Sequence, residues 1–177
     1  MIILRIPGTP APKGSSRAIL RGGHAVNVPS GSDTNKARLA DWKADVSVAC
    51  WRAVPGSVEL ADDKTGPVAV GCLFAFPMRK ADVRKSGSPM LRAPLLLTVR
   101  PDVDKLVRST LDAITSSGCI WRDDSQAIVL AARVYIPPGH PIESVVIIGD
   151  DVHAVTAEWQ HELLKAGDRM RIAKEAA

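Results

Sequence analysis

The segment from residue 100 to 136 constrains the fold most. Its apolar residues recur first with the period of a helix and then, after a short connection, with the period of a strand. The first part places apolar residues on one face of a helix that runs from about Asp102 to Thr115. That apolar set is Val103, Leu106, Val107, Leu111 and Ile114. The second part alternates apolar and other residues from Ile128 to Ile136, with the period of two that is typical of a strand. The segment therefore predicts a helix that leads into a strand.

Further elements are indicated on both sides of this segment. Predicted strands are MIILRI at the N-terminus, the short HAVNV, PVAVGCLFAFPM, and ESVVIIGD, which is placed to pair with the preceding strand as a hairpin. Helices are predicted from about Asp33 to Val54, capped by Ser32, Asp33 or Thr34, and from about 154 to 175. This pattern predicts an α+β fold with two layers, in which helices pack on a small mixed sheet. Residues 1–177 fit one domain, with 150–177 as a C-terminal helical extension.

The composition favours a polyanionic partner and excludes several other classes. The 23 Lys and Arg residues against 19 Asp and Glu give a formal net charge of +4. The three cysteines, Cys50, Cys72 and Cys119, are odd in number and lie in apolar surroundings, so they predict free thiols and no disulfide framework. No signal peptide is recognisable, and no apolar run approaches the ~20 residues of a membrane span. A cytoplasmic protein without a membrane partner is expected.

Carboxylates cluster at both ends of the predicted helix. Asp102 and Asp104 follow Pro101, and Asp123 and Asp124 precede the next strand. In an extended stretch the first two would lie on one side, with Cα atoms ~6 to 7 Å apart, from about 3.3 Å per residue. Such a pair can bind a hard cation such as Mg²⁺, and one residue of the second pair could supply a third ligand. A capped helix start and a solvated turn are the structural alternatives.

A cationic segment precedes this cluster. Between residues 79 and 100 there are six cations, Arg79, Lys80, Arg84, Lys85, Arg92 and Arg100, and one acid, Asp82. Its Gly, Ser and Pro content predicts a loop. A solvated charged face is the plain interpretation. Hydrolysis of a nucleic-acid backbone needs this combination, however, because cations bind the phosphates and carboxylates hold a metal ion at the scissile one.

The order and spacing of these motifs resemble the RusA family of Holliday-junction resolvases. The resembling residues are Pro101-Asp102-Val103-Asp104, Arg108, Leu111-Asp112-Ala113 and Asp123-Asp124-Ser125-Gln126. The resemblance implies a RusA-like fold and a homodimer that resolves four-way DNA junctions by paired symmetric nicks in recombination and repair. It also implies that Asp102, Asp104 and Asp124 coordinate Mg²⁺. Arg108 stands where the family has a catalytic Lys, and it keeps the positive charge.

The expected site therefore has a catalytic and a DNA-binding part. The catalytic residues are Asp102, Asp104, Asp124 and Arg108, and no small-molecule cofactor is expected. The expected DNA contacts are Lys13, Arg17, Arg79, Lys80, Arg84, Lys85, Arg100 and Lys105. One alternative is a non-catalytic DNA-binding module whose acids are only structural. Another is a sugar-nucleotide transferase, which the lack of a Gly-rich turn after a Rossmann-like strand disfavours.

Overall fold

A computed structural model describes residues 1–14, 16–29, 32–54, 66–121 and 123–176, of which 16–19 and 26–29 are described by their backbone alone. The strands are β1 (Ile2–Pro7), β2 (Ser16–Arg21), β3 (His24–Pro29), β4 (Val68–Pro77), β5 (Ala127–Ile136) and β6 (Glu143–Gly149). The helices are α1 (Asp33–Ala53), α2 (Val103–Ser117) and α3 (Val152–Glu175). Single 3₁₀ turns occur at Lys80–Asp82 and Asp124–Gln126.

The main sheet has the strand order β1-β6-β4-β5, in which β5 is parallel to β4 while β6 is antiparallel to both β4 and β1. The mixed sheet and the α+β class agree with the sequence prediction. The predicted hairpin between β5 and β6 is wrong, because β4 lies between them. β4 is buried on both faces along most of its length, and such a strand belongs in the centre of a sheet.

Helices cover both faces of this sheet, so it is the middle of three layers and not one of two. Val70, Cys72 and Phe74 of β4 face α1 and α2, while the alternate residues Leu73 and Ala75 belong to the core under α3. The second core also contains Val155 and Ala166 of α3. The period-two pattern of β4 is apolar on both sides, which accounts for a third layer.

The two helices on the first face are capped and joined by polar contacts. The Ser32 hydroxyl of α1 accepts a hydrogen bond from the Asn35 amide, and Gly118 closes α2 in the left-handed conformation with φ 68°. The Trp42 indole donates to the Thr110 hydroxyl at 3.2 Å. Trp51 donates to the Ser117 carbonyl at 3.5 Å. These pairs align α1 and α2 in the same direction, so that both helices begin at the same end of the sheet.

The outer edge of β5 is covered along only part of its length. Tyr135 donates its amide to the Leu95 carbonyl, and Leu97 donates to the Arg133 carbonyl, so residues 95–97 lie along the second half of the strand. Over the first half, the described residues provide no such cover. Ile128, Val129 and Leu130 are 53, 37 and 37% exposed there. An edge strand with exposed apolar side chains is a ready surface for pairing with another chain.

β2 and β3 form a separate antiparallel hairpin. Gly22 and Gly23 make its turn, with φ of 59° and 78°. The sequence analysis predicted β3 but not β2. Cys50 and Cys72 are buried free thiols, whose pKa burial raises to about 11 and about 12 respectively, and Cys119 is half-buried. Among the described residues, no helix has the length and apolar character that a membrane span requires.

Candidate active site

A cleft of about 1040 Å³ opens where the first turns of α1 and α2 meet the ends of β4 and β5. Its described lining contains seven cationic side chains and no carboxylate. The cations are Lys13, Lys36, Arg38, Arg79, Arg100, Lys105 and Arg108. A concave surface lined by charges of one sign concentrates counter-charged ligands, so the cleft suits a phosphate backbone.

One wall of the cleft is the segment from Thr9 to Gly14, which is fastened to α2. The Ser109 hydroxyl donates to the Ala11 carbonyl at 2.7 Å, and the Lys13 amide donates to the Lys105 carbonyl at 2.9 Å. The Lys13 ammonium lies 2.7 Å from the Asp112 carboxylate, and Lys43 approaches the same oxygen at 3.5 Å. The partial burial of Asp112 opposes ionisation, but its two lysine partners outweigh this effect and lower its pKa. Asp112 is thus a structural partner on the polar face of α2.

Asp102 and Asp104 lie at the start of α2, beside the cleft. Asp102 occupies the N-cap position, as the sequence predicted, but its side chain makes no capping hydrogen bond. Its carboxylate instead pairs with Lys105 at 2.9 Å, and chiefly this hydrogen bond lowers the pKa of Asp102. Asp104 is exposed in the first turn of the helix and has no ion pair among the described residues. Both carboxylates therefore face solvent at a helix end that favours negative charge.

Asp124 lies beyond the other end of α2. It begins the 3₁₀ turn that leads into β5, and its neighbour Asp123 accepts a hydrogen bond from the Ser125 amide at 2.8 Å. The Arg133 guanidinium, in the second half of β5, donates to the carbonyls of Val99 and Pro101 and so holds the start of α2 near that end of the strand. Between the two ends lie the 15 residues of α2. At 1.5 Å per residue, a helix of this length separates its ends by about 22 Å.

The fold of the chain therefore does not bring the three expected metal ligands, Asp102, Asp104 and Asp124, together. Within the described ranges, no three His, Cys, Asp or Glu side chains are close enough to hold a metal ion. The sequence analysis expected Asp124 to join Asp102 and Asp104 from a neighbouring loop. The structure places it at the opposite end of the helix.

A comparison with known families adds independent evidence. The family model described as Endodeoxyribonuclease RusA matches residues 7–142 of the 177-residue chain. The chain belongs to the RusA family. It is a structure-specific endodeoxyribonuclease, a hydrolase that acts on DNA, as the resemblance in its motifs predicted. No curated protein matches the chain significantly.

RusA enzymes act on branched DNA junctions and depend on divalent metal ions in general. Several expected DNA contacts line the cleft of this RusA chain, namely Lys13, Arg79, Arg100 and Lys105. Lys80, Arg84 and Lys85 lie outside the cleft lining, on the ordered loop that follows β4. The side chain of Arg17 lies outside the described part of the structure. Arg108 lines the cleft, is exposed, and has no ion pair among the described residues.

The cationic segment of this enzyme is a loop, as predicted, and several contacts hold it in place. Arg79 pairs with Asp82 at 2.6 Å, and its guanidinium lies 5.7 Å from the centre of the Tyr135 ring. Arg84 donates its amide to the Ser88 carbonyl, which closes a tight turn. Lys174 of α3 donates to the Ala93 carbonyl at 2.7 Å. This contact joins the loop to α3, which lies outside the residues that the family model matches.

Two cations of the RusA cleft were missed by the sequence analysis. Lys36 and Arg38 lie near the start of α1, which was interpreted only through its buried stripe. A signal was present, since cations near the N-terminus of a helix oppose its dipole. Lys36 is paired with Asp33 at 2.9 Å, whereas Arg38 has no ion pair among the described residues. Arg38 therefore keeps its charge available for a ligand.

Proposed function

We propose that this protein is a Mg²⁺-dependent homodimeric enzyme that resolves four-way DNA junctions by paired symmetric nicks. The observation that carries this proposal is a cationic cleft, with no carboxylate in its described lining, directly beside the exposed Asp102 and Asp104. Cations bind the DNA backbone, and the adjacent carboxylates supply the negative oxygens that a divalent metal requires. Because its substrate is DNA, we also propose the cytoplasm as its compartment.

The two carboxylates at the start of α2 are suitable ligands for Mg²⁺, but two are fewer than the three that were expected. Asp102 is kept ionised by Lys105, and Asp104 is exposed, so both offer hard oxygen ligands. Asp102, Asp104 and the partner subunit's Asp124 would hold the ion. When bound, Mg²⁺ would lower the pKa of a water molecule and stabilise charge on the phosphate oxygens.

The other residues of the cleft bind and orient the junction. Arg38, Arg100 and Arg108 have no ion pairs among the described residues, so their charges are free to neutralise phosphates. Arg108 lies one helical turn beyond Asp104 and is suited to stabilise charge on the phosphate that is attacked. Its guanidinium can bind two phosphate oxygens at once, but it does not transfer a proton at neutral pH. We therefore assign it electrostatic stabilisation and not proton transfer.

The open edge of β5 supports the proposed dimer. Two β5 strands paired antiparallel about a two-fold axis would bring the start of each strand toward the covered end of the other. That covered end carries residues 95–101, which lead directly into Asp102. Such pairing would move the partner subunit's Asp124 toward Asp102 and Asp104. It would also bury Ile128, Val129 and Leu130.

Mixed dimers test this arrangement directly. An Asp102→Asn subunit is co-expressed with an Asp124→Asn subunit, each with a different tag, and the heterodimer is purified. If ligands come from both subunits, one site carries both changes and the other carries neither. The heterodimer should then nick a synthetic junction at one of the two symmetric positions, although both parent homodimers are inactive.

The matched control is a heterodimer of Asp102→Asn and Asp104→Asn subunits. Here each site loses one ligand, so no nick is expected. Equal inactivity of both heterodimers would show that the site does not combine Asp102 and Asp104 of one subunit with Asp124 of the other. Cutting by the wild type should stop in EDTA and return with Mg²⁺.

The absence of a three-carboxylate group within the described chain is the reason that the metal site is proposed between two subunits. A gel assay on a four-way junction, with and without Mg²⁺, tests the metal dependence. Cleavage in EDTA at the rate seen with Mg²⁺ would contradict the proposed role of the metal.

A further inference from the structure

We propose that the cleft receives one unstacked nucleobase of the bound junction, at a nucleotide next to the phosphate that is cut. This inference rests on the proposed function and adds a base-binding site to it. A surface that only follows the DNA backbone needs cations and little depth. This cleft has, in addition, an apolar floor, a rigid wall and polar groups without partners.

The floor of the cleft is apolar and largely shielded from bulk water. Phe76, Leu97 and Tyr135 line the cleft and are 8, 6 and 3% exposed. Leu39 of α1 and the exposed Val99 complete the apolar lining. Burying the face of a base against such side chains is favourable, because every base has a flat apolar surface.

Prolines form much of the surrounding wall. Pro10, Pro12, Pro77 and Pro101 all line the cleft. Their rings are apolar and their backbone φ angles are fixed, so the wall loses little conformational freedom when a ligand binds. The wall that carries Pro10 and Pro12 is also fastened to α2 by the Ser109 and Lys13 contacts. The cleft is therefore largely pre-formed.

Polar groups that could bind the edge of a base are present at the same place. The Tyr135 hydroxyl and the side-chain carboxamide of Asn35 make no hydrogen bond within the described chain, and both residues line the cleft. Ligand sites combine an apolar lining with a few such groups, which fix the orientation of the ligand. The volume of about 1040 Å³ is at the upper end of the ~300 to 1,000 Å³ that is usual for small-molecule sites, so a nucleotide fits.

The cleft is linked to the proposed site of cutting by a direct contact. Lys105 lines the cleft and holds Asp102 at 2.9 Å, and Arg108 lines it from the next turn of α2. A base in the cleft would therefore leave its own phosphate among the cations beside Asp102 and Asp104. Enzymes that extrude a base gain selectivity both from the unstacking energy and from the pocket that receives the base. The cleft then reads the sequence at the cut.

The experiment uses four-way junctions in which 2-aminopurine replaces one base at a time around the crossover. Stacking quenches this fluorophore, so extrusion into the cleft should raise its emission, by about threefold or more, at one position in each cut strand. Binding is measured in EDTA with saturating wild-type protein, so that nothing is cut. The same oligonucleotides in linear duplex serve as the reference.

Val99→Trp fills the cleft from a position that is 46% exposed in the wild type. With the junction fully bound, this variant should abolish the rise in 2-aminopurine emission. The matched control is Leu164→Trp on α3, at a position that is 68% exposed and outside the cleft lining, and it should behave as the wild type does. No rise at any position, or an undiminished rise with Val99→Trp, would overturn the proposal. Absence of junction binding by the wild type would instead refute the proposed function.

A second measurement does not depend on the folding of any variant. The wild type is titrated with a deoxynucleoside 5′-monophosphate and separately with 2-deoxyribose 5-phosphate, which lacks the base. The nucleotide should bind about tenfold more tightly, because base stacking adds to the phosphate contacts. Equal affinities would mean that the cleft recognises phosphate alone, and would overturn the proposal.

Discussion

The two faces of the sheet use charged side chains in opposite ways. On the face covered by α3, Glu162 of that helix is 5% exposed and pairs with Arg5 at 3.0 Å and Lys165 at 2.8 Å. On the cleft side, Arg38 and Arg108 have no ion pairs among the described residues. The buried charge on the α3 face is paired twice, whereas the cleft pairs four of its lining cations and leaves Arg38, Arg100 and Arg108 without an ion pair among the described residues. The family match covers residues 7–142, so Arg5, Glu162 and Lys165 all lie outside it.

The largest expected difference between the two faces concerns cleavage. Asp102→Asn or Asp104→Asn should reduce junction cutting by at least about 100-fold, the cost of removing a group that stabilises transition-state charge. Thermal stability should change little, because both carboxylates face solvent. Junction affinity in EDTA should stay the same or rise, since a negative charge near the DNA is lost. Wild-type cutting rates from either variant would contradict the assignment.

The next largest effect is expected on the free energy of unfolding, because α3 packs closely on β4. A Cβ at Gly71 would meet Trp159 Cδ1 at 3.0 Å and Trp159 Cβ at 3.1 Å. Gly71→Ala should therefore lower the free energy of unfolding by about 1 to 3 kcal/mol, the usual cost of overpacking a core. Gly66→Ala is the control, because nothing lies within 4 Å of the added Cβ. Chemical denaturation measures both variants, and equal stability would show that α3 adapts freely.

A smaller effect, on stability and not on cleavage, is expected at Glu162. Glu162→Gln should lower the free energy of unfolding at pH 7 by about 1 to 2 kcal/mol, less than for a fully buried pair because Arg5 and Lys165 are 44 and 41% exposed. Burial opposes the ionisation of Glu162, but Lys165 and Arg5 together lower its pKa.

The sign of the pH dependence follows from this depressed pKa. The stabilisation is complete above the unfolded pKa of about 4.5 and is lost as the pH falls through the lower folded value. The stability difference between wild type and Glu162→Gln should therefore be largest near neutral pH and shrink in acid. A difference that grows below pH 4.5 would reverse the assigned sign.

The smallest expected effect is on junction binding, and it should differ between a cation without an ion pair and one with an ion pair. Arg108→Ala should weaken junction binding by about threefold to tenfold and reduce the slope of log affinity against log salt by about one. Arg108→Lys should restore the slope. Arg171→Ala is the matched change on α3, where the guanidinium pairs with Asp168 and Glu175 and its loss should leave binding unchanged. Equal effects of both alanine changes would remove the contrast between the faces.

Local sequence patterns predicted the elements of the structure except β2, but they did not predict which strands pair. The apolar stripe of α2 depends on neighbouring residues and agrees with the structure, and of the three caps proposed for α1 the structure has Ser32. The strand order could not be read in the same way, because β5 and β6 are close in sequence while the doubly buried β4 competes for the centre of the sheet.

The site shows the same limit. The basic loop and the Asp-x-Asp motif were recognised from their spacing, and the cleft includes part of that loop. Lys36 and Arg38 were missed because their role depends on where α1 begins relative to β4 and β5. The separation of Asp124 from Asp102 was available from the sequence, since a predicted helix between two residues fixes the distance between its ends.

The partial cover on β5 has a consequence for how many copies can join. Residues 95–97 occupy the second half of the strand edge, so an incoming strand finds a short slot that ends at a fixed stop. If a second copy pairs antiparallel with the open half of β5 through the same half of its own β5, neither copy keeps an open β5 edge for a third. Residues 95–97 would thus prevent growth into fibres through β5.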